Sequence, residues 1–185
     1  MTAITVVSGS PGAGKTTLAR RLAARAERGL HLESDPFYGF PAHPIDPTTP
    51  ASHAQNSAIL TAVVRAATGF AEADYDVYVD GVVGPWWLPL LGGELATRGI
   101  ALHYVVLRVE LDEALHRAAV RAQSTDVAAV RRMHRAFEDL RGFASHAVDA
   151  SGVAVETLLE RVALRLAEDA FRIDLDALRE DAGRQ

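Results

Sequence analysis

The residues best equipped for chemistry stand near the N-terminus, in Gly9-Ser10-Pro11-Gly12-Ala13-Gly14-Lys15-Thr16. Their spacing, G-x-x-x-x-G-K-[ST], is that of a loop that cradles phosphate. Glycines let the backbone curl so that successive N–H groups point at phosphate oxygens. A following helix adds free N–H groups and the positive end of its dipole. Lys15 can reach the β- and γ-phosphates as a point charge, and the Thr16 hydroxyl is placed to ligate Mg²⁺. The other reading of this stretch is a glycine turn that binds nothing. Its flanks argue against that, because an apolar β-branched run precedes it and a strong helix former follows.

Other groups with chemical potential are spread along the chain. Asp35 directly follows the short apolar run Leu30–Ser34. A carboxylate there could take the proton of a substrate hydroxyl, or it could simply start a turn before Pro36. Asp80 ends Asp76-Val77-Tyr78-Val79 as an acid that holds Mg²⁺ does; it could instead bind an acceptor or open an Asp-Gly turn. Arg117 and Arg121 are four apart and share one helix face. There they could neutralise charge on a transferring phosphoryl group, or face solvent like Arg131, Arg132 and Arg135. Trp86 and Trp87, in the loop after Asp80, could line an acceptor pocket or pack locally, and Phe37, Tyr38 and Phe40 carry the same ambiguity. The seven histidines lack metal-binding spacing and read as ordinary, with His134 at the edge of the core.

The elements that must position these groups alternate between strand and helix. Strands are expected over 3–8, 30–34, 76–81, 102–107 and, weakly, 147–150. Helices are expected over 15–28, 52–73, 88–98, 111–123 and 127–140, with another carrying Leu158, Leu159, Val162 and Leu166. Gly29 and Gly99 read as helix caps. Four prolines interrupt regular structure across 41–56, an acceptor-side loop long enough to be functional. A short lid is expected over 117–126, and the tail from 172 onward can form one more short helix around Leu175 and Leu178. Alternating strands and helices imply an α/β fold with a mostly parallel sheet covered on both faces. Ligands then sit beyond the carboxyl ends of the strands, which gathers the glycine loop, Asp35 and Asp80 on one edge.

Composition narrows the partners. The chain has 185 residues, enough for one domain spanning 1–185. Its formal net charge of −5 speaks against a general nucleic-acid surface, and no apolar run approaches the ~20 residues of a membrane helix. It has no cysteine and leaves no room for a signal peptide before the first strand, so a cytoplasmic setting is expected.

The pattern resembles small P-loop kinases of the chloramphenicol phosphotransferase, shikimate/gluconate kinase and tunicamycin-resistance type. Gly9–Thr17, Glu33-Ser34-Asp35, Val79-Asp80-Gly81 and Leu115–Arg121 carry the resemblance, and Arg135–Leu140 is similar to the helix after the lid. It covers about residues 3–168. It implies a three-layer α/β/α P-loop NTPase fold with five parallel strands in the order 2-3-1-4-5. It implies Asp35 as base, Arg117 or Arg121 as the lid arginine, and Ser151 beside the adenine. The expected activity is ATP- and Mg²⁺-dependent transfer of the γ-phosphoryl group to a hydroxyl of a small, antibiotic- or nucleoside-like molecule. Tyr38, Trp86 and Trp87 are then acceptor-side candidates. Between 30 and 90 the only basic residue besides histidine is Arg65, which argues for an uncharged or weakly charged acceptor. The rival from another class is a nucleotide-dependent regulatory ATPase that uses 41–56 to bind a protein partner.

Overall fold

The computed structural model describes residues 2–121 and 126–182. Five strands, β1 (Ala3–Gly9), β2 (Gly29–Glu33), β3 (Asp76–Asp80), β4 (Ala101–Arg108) and β5 (Ala147–Asp149), form one sheet in the order β2-β3-β1-β4-β5. Every pairing is parallel. This is the P-loop NTPase arrangement of helix, sheet and helix.

The strands read as continuous apolar runs because both sheet faces are covered. Val6 packs with α2 (His53–Glu72) and α3 (Leu88–Leu95), whereas its neighbour Val7 packs with α1 (Lys15–Arg25) and α6 (Val155–Ala167). The helical periods end up where the sheet needs them: Leu18 and Leu22 are buried from α1, and Ile59, Leu60, Val63 and Val64 from α2. α4 (Leu111–Arg121) and α5 (Val127–Ala136) follow β4, and α7 (Leu175–Ala182) lays Leu178 against Gly92 of α3.

Several boundaries differ from the sequence expectation. α1 stops at Arg25, and Gly29 is the first residue of β2 rather than a helix cap. Glycine is needed there because a Cβ would lie 1.9 Å from the Ala23 carbonyl oxygen. α5 ends at Ala136, where Phe137 and Leu140 turn inward and are buried instead of extending the helix. The proline-rich stretch contains a 3-10 turn, Pro50–Ser52, that leads straight into α2.

Candidate active site

The phosphate loop is shaped by backbone contacts. Gly12 has φ +82, and a Cβ on it would meet the Ala114 carbonyl oxygen at 2.3 Å, so the loop lies directly against α4. Both constraints restrict the position to glycine. Gly14 precedes α1, and no side chain caps that helix. Its first N–H groups therefore face the loop, as anion binding requires. Lys15 is the chain's only lysine. Its Nζ donates to the Ser10 carbonyl oxygen at 3.0 Å, which folds the side chain back over the loop.

Thr16 and Asp80 meet although 64 residues separate them. The Thr16 hydroxyl donates to Asp80 Oδ2 at 2.5 Å. The other oxygen, Oδ1, lies 2.7 Å from His31 Nε2. Asp80 is only 5% exposed, so these contacts supply the partners a buried carboxylate requires. The sheet makes the cluster, since β2 and β3 pair with Glu33 opposite Asp80 and His31 two residues behind on the same face. Ligand atoms of His31, Glu33 and Asp80 lie within 4.8 Å of one another. Glu33 also pairs with Arg20 at 2.8 Å. His31 read as ordinary in the sequence because the signal lies in strand pairing, not in linear spacing. The oxygen donors Thr16 and Asp80 suit the hard cation Mg²⁺.

Asp35 reaches the same edge through a backbone lock. The Ser34 N–H donates to the Asp80 carbonyl oxygen at 3.0 Å, which ties the end of β2 to the end of β3. The chain then turns through a 3-10 segment, Asp35–Gly39. Asp35 and Tyr38 line a cavity of about 1000 Å³ that also includes Gly12 and Lys15. Burial, and next the charge of Asp35, push the Tyr38 phenol above its ordinary pKa, so it stays a hydrogen-bond donor.

Trp86 and Trp87 belong to this wall. Their loop is anchored from below by two residues that sequence reasoning passed over. The Ser8 hydroxyl donates to the Val83 carbonyl oxygen at 2.6 Å and accepts from the Val83 N–H at 3.0 Å. The Tyr104 hydroxyl donates to the same carbonyl at 2.7 Å. Both residues are fully buried, and burial drives the Tyr104 phenol far above its ordinary pKa. A polar residue within an otherwise apolar buried strand was the available signal. Trp87 stacks on His53, with centroids 5.1 Å apart and planes 18° apart, and Trp86 leans on Phe137 at 6.0 Å.

The 41–52 segment is irregular but well tied. Gln55 exchanges two hydrogen bonds with the Ile45 backbone, both 2.8 Å, and Asn56 Nδ2 donates to the Pro47 carbonyl oxygen at 2.9 Å. Arg132 of α5 donates to the Thr48 hydroxyl at 2.8 Å and joins the two rims of the cavity. Asn56 Oδ1 is buried with no hydrogen-bond partner among the described residues. Such an orphan costs about 1–3 kcal/mol.

Arg117 pairs with Glu113 on α4, and a Cβ on Gly14 would stand 3.9 Å from Arg117 Nη1. The guanidinium therefore lies beside the phosphate loop. The side chain of Arg121, and lid residues 122–125, lie outside the described residues. The Ser151 hydroxyl accepts from the Glu110 N–H at 3.1 Å, and Ser151 stands outside the cavity wall. So the fold gathers Gly12, Lys15, Asp35, Tyr38, Trp86 and Trp87 around one space. Asp80 stands behind it with Thr16, and Arg117 at its flank.

A glycine loop at the carboxyl edge of this sheet, with Thr16 bonded to the acid that ends β3, defines a P-loop NTPase. The chain belongs to the AAA domain family, whose model matches residues 4–140. No curated protein sequence matches it. Solved structures share its fold at low identity. The tunicamycin resistance protein of Deinococcus radiodurans is 19% identical, over 90% of this chain and 96% of that one, with a TM-score of 0.66. A gluconokinase from Sinorhizobium meliloti is 16% identical, over 91% and 93%, with a TM-score of 0.63. The shikimate kinase of Acinetobacter baumannii, solved with shikimate, is 19% identical, over 91% and 94%, also with a TM-score of 0.63. Among the described residues no helix is long and apolar enough to cross a membrane.

Proposed function

We propose that the protein transfers the γ-phosphoryl group of ATP to a hydroxyl of a small molecule. The observation that carries this reading is one cavity lined by Gly12 and Lys15 of the phosphate loop and by Asp35. A regulatory ATPase acting through a protein partner has no need of a cavity that joins its phosphate loop to a carboxylate and an aromatic wall.

Each residue has a definite task. Backbone N–H groups of 9–16 and the start of α1 bind the triphosphate, and Lys15 adds a charge that travels with the β- and γ-oxygens. Thr16 and Asp80 would hold Mg²⁺, with the Asp80 carboxylate oriented by its contacts to Thr16 and His31. When bound, that ion supplies charge neutralisation across the phosphates. Asp35 orients the acceptor hydroxyl and takes its proton as the oxygen attacks phosphorus and ADP leaves. Arg117, with Arg121 as the other candidate, neutralises the transferring group. Tyr38, Trp86 and Trp87 seat the acceptor, and Ser151 borders the nucleotide base. The tunicamycin-resistance, gluconate and shikimate neighbours support a hydroxylated metabolite or an antibiotic- or nucleoside-like acceptor. The whole chain acts as one catalytic domain in a cytoplasmic setting.

Asp35→Asn is the direct test. Acceptor-stimulated ADP release is expected to fall by about 10²–10⁴-fold while ATP binding persists. Undiminished phosphoryl transfer would remove Asp35 from the base role.

A further inference from the structure

The acceptor wall has a definite chemical character. Apart from Lys15 at the phosphate end, no described residue lining the cavity is a lysine or arginine. Arg65, the basic residue of the 30–90 region, is held in a two-pronged pair with Glu94 at 2.9 and 3.0 Å. Arg132 on the rim donates to Thr48 and lies 3.9 Å from Asp126 Oδ2, and Asp126 Oδ1 caps α5 by accepting from the Ala129 N–H at 3.0 Å. The other acid lining the space is Asp35. A second anion brought beside Asp35 is repelled, with no described lysine or arginine but Lys15 in the lining to offset it.

The remaining wall is flat and apolar. Trp87 is backed by His53 in a stacked pair, and Trp86 is braced by Phe137, so both indoles are pre-positioned. Rigid aromatic faces favour a planar ring.

Resting on the phosphotransferase reading, we propose that the acceptor is an uncharged alcohol carrying a flat ring. The ring lies against Trp86 and Trp87, and its hydroxyl faces Asp35. Phosphorylated and carboxylated alcohols are excluded by charge.

Both tryptophans of the chain are in this wall, so selectively excited tryptophan fluorescence reports on it. The full chain, saturated with Mg²⁺ and a non-hydrolysable ATP analogue, is titrated with two matched series. Phenyl β-glucoside is compared with phenyl β-glucuronide, which adds a carboxylate, and with methyl β-glucoside, which removes the ring. Uridine is compared with UMP and with ribose. The neutral ring-bearing member of at least one series should change the fluorescence at millimolar concentration. Its charged and ringless partners should bind at least roughly fivefold to tenfold more weakly. Met133→Arg, on the α5 side of the cavity, should narrow or reverse the discrimination against the charged partner.

Equal or tighter binding of the charged or ringless partner would overturn the proposal, as would silence from both neutral ring-bearing probes. ATP-analogue binding and ADP release are followed in parallel. Turnover on an acidic alcohol would sink the acceptor class and leave phosphoryl transfer standing. Failure to bind any nucleotide would take down both.

Discussion

The two walls of the cleft are built by different rules. The phosphate wall is one contiguous stretch, Gly9–Thr16, whose groups are backbone amides and a single ammonium. The acceptor wall draws on five separate segments: Asp35 and Tyr38 after β2, the 47–50 turn, the start of α2, the loop after β3, and α5. Its shape depends on side-chain hydrogen bonds from Ser8, Tyr104, Gln55 and Arg132. A backbone site demands one conformation and tolerates little; a side-chain site can be retuned one residue at a time. That difference suits a scaffold in which the nucleotide half stays constant and the acceptor half is free to change.

The sharpest way to probe this contrast is Lys15→Met. Removing one pre-aimed charge at a transferring phosphoryl group is expected to cut turnover by about 10²–10³-fold. Acceptor-induced tryptophan fluorescence should survive, and its loss would show that the walls do not work separately. Gly12→Ala is next. The added Cβ meets backbone at Ala114 at φ +82, so a stability loss of about 1–3 kcal/mol with weakened ATP binding is expected by denaturant unfolding and nucleotide titration. A variant as stable as the parent would refute the tight contact between loop and α4.

On the acceptor side the expected effects on turnover are smaller and confined. Ser8→Ala leaves the buried Val83 N–H without its partner, at about 1–3 kcal/mol of stability. The loop carrying Trp86 and Trp87 loosens, so KM for the acceptor should rise while ATP affinity is unchanged. If ATP affinity fell equally, the loop would belong to both walls. Arg132→Ala removes an exposed bond to Thr48 and a long surface ion pair with Asp126 at 3.9 Å, and should cost no more than about 0.5–1 kcal/mol. Its measurable effect should be faster proteolysis within 41–52, and an unaltered cleavage rate would discount the rim contact.

Much of this was readable before folding was considered. The phosphate loop announces itself because its neighbours in space are its neighbours in sequence. The strand runs and the faces of α1 and α2 were legible because burial imposes a period on a linear string. Less local features were not. Gly29 reads as a cap until β2 is seen to pass the Ala23 carbonyl. His31 reads as ordinary until the β2–β3 register sets it against Asp80. Ser8 and Tyr104 stand out only as polar interruptions, and their common target, Val83, lies 75 and 21 residues away.

The chain's linear order therefore determined the anion-binding loop, the alternation of strand and helix, and the scarcity of basic residues between 30 and 90. Those properties depend on local backbone preference, periodic burial and charge count, each carried by a short stretch. Only the tertiary structure decided which acids share an edge, which tryptophan meets which ring, and which carbonyl of Asn56 goes unserved. Such contacts depend on strand register and on loops crossing one another, and neither is encoded within any single segment.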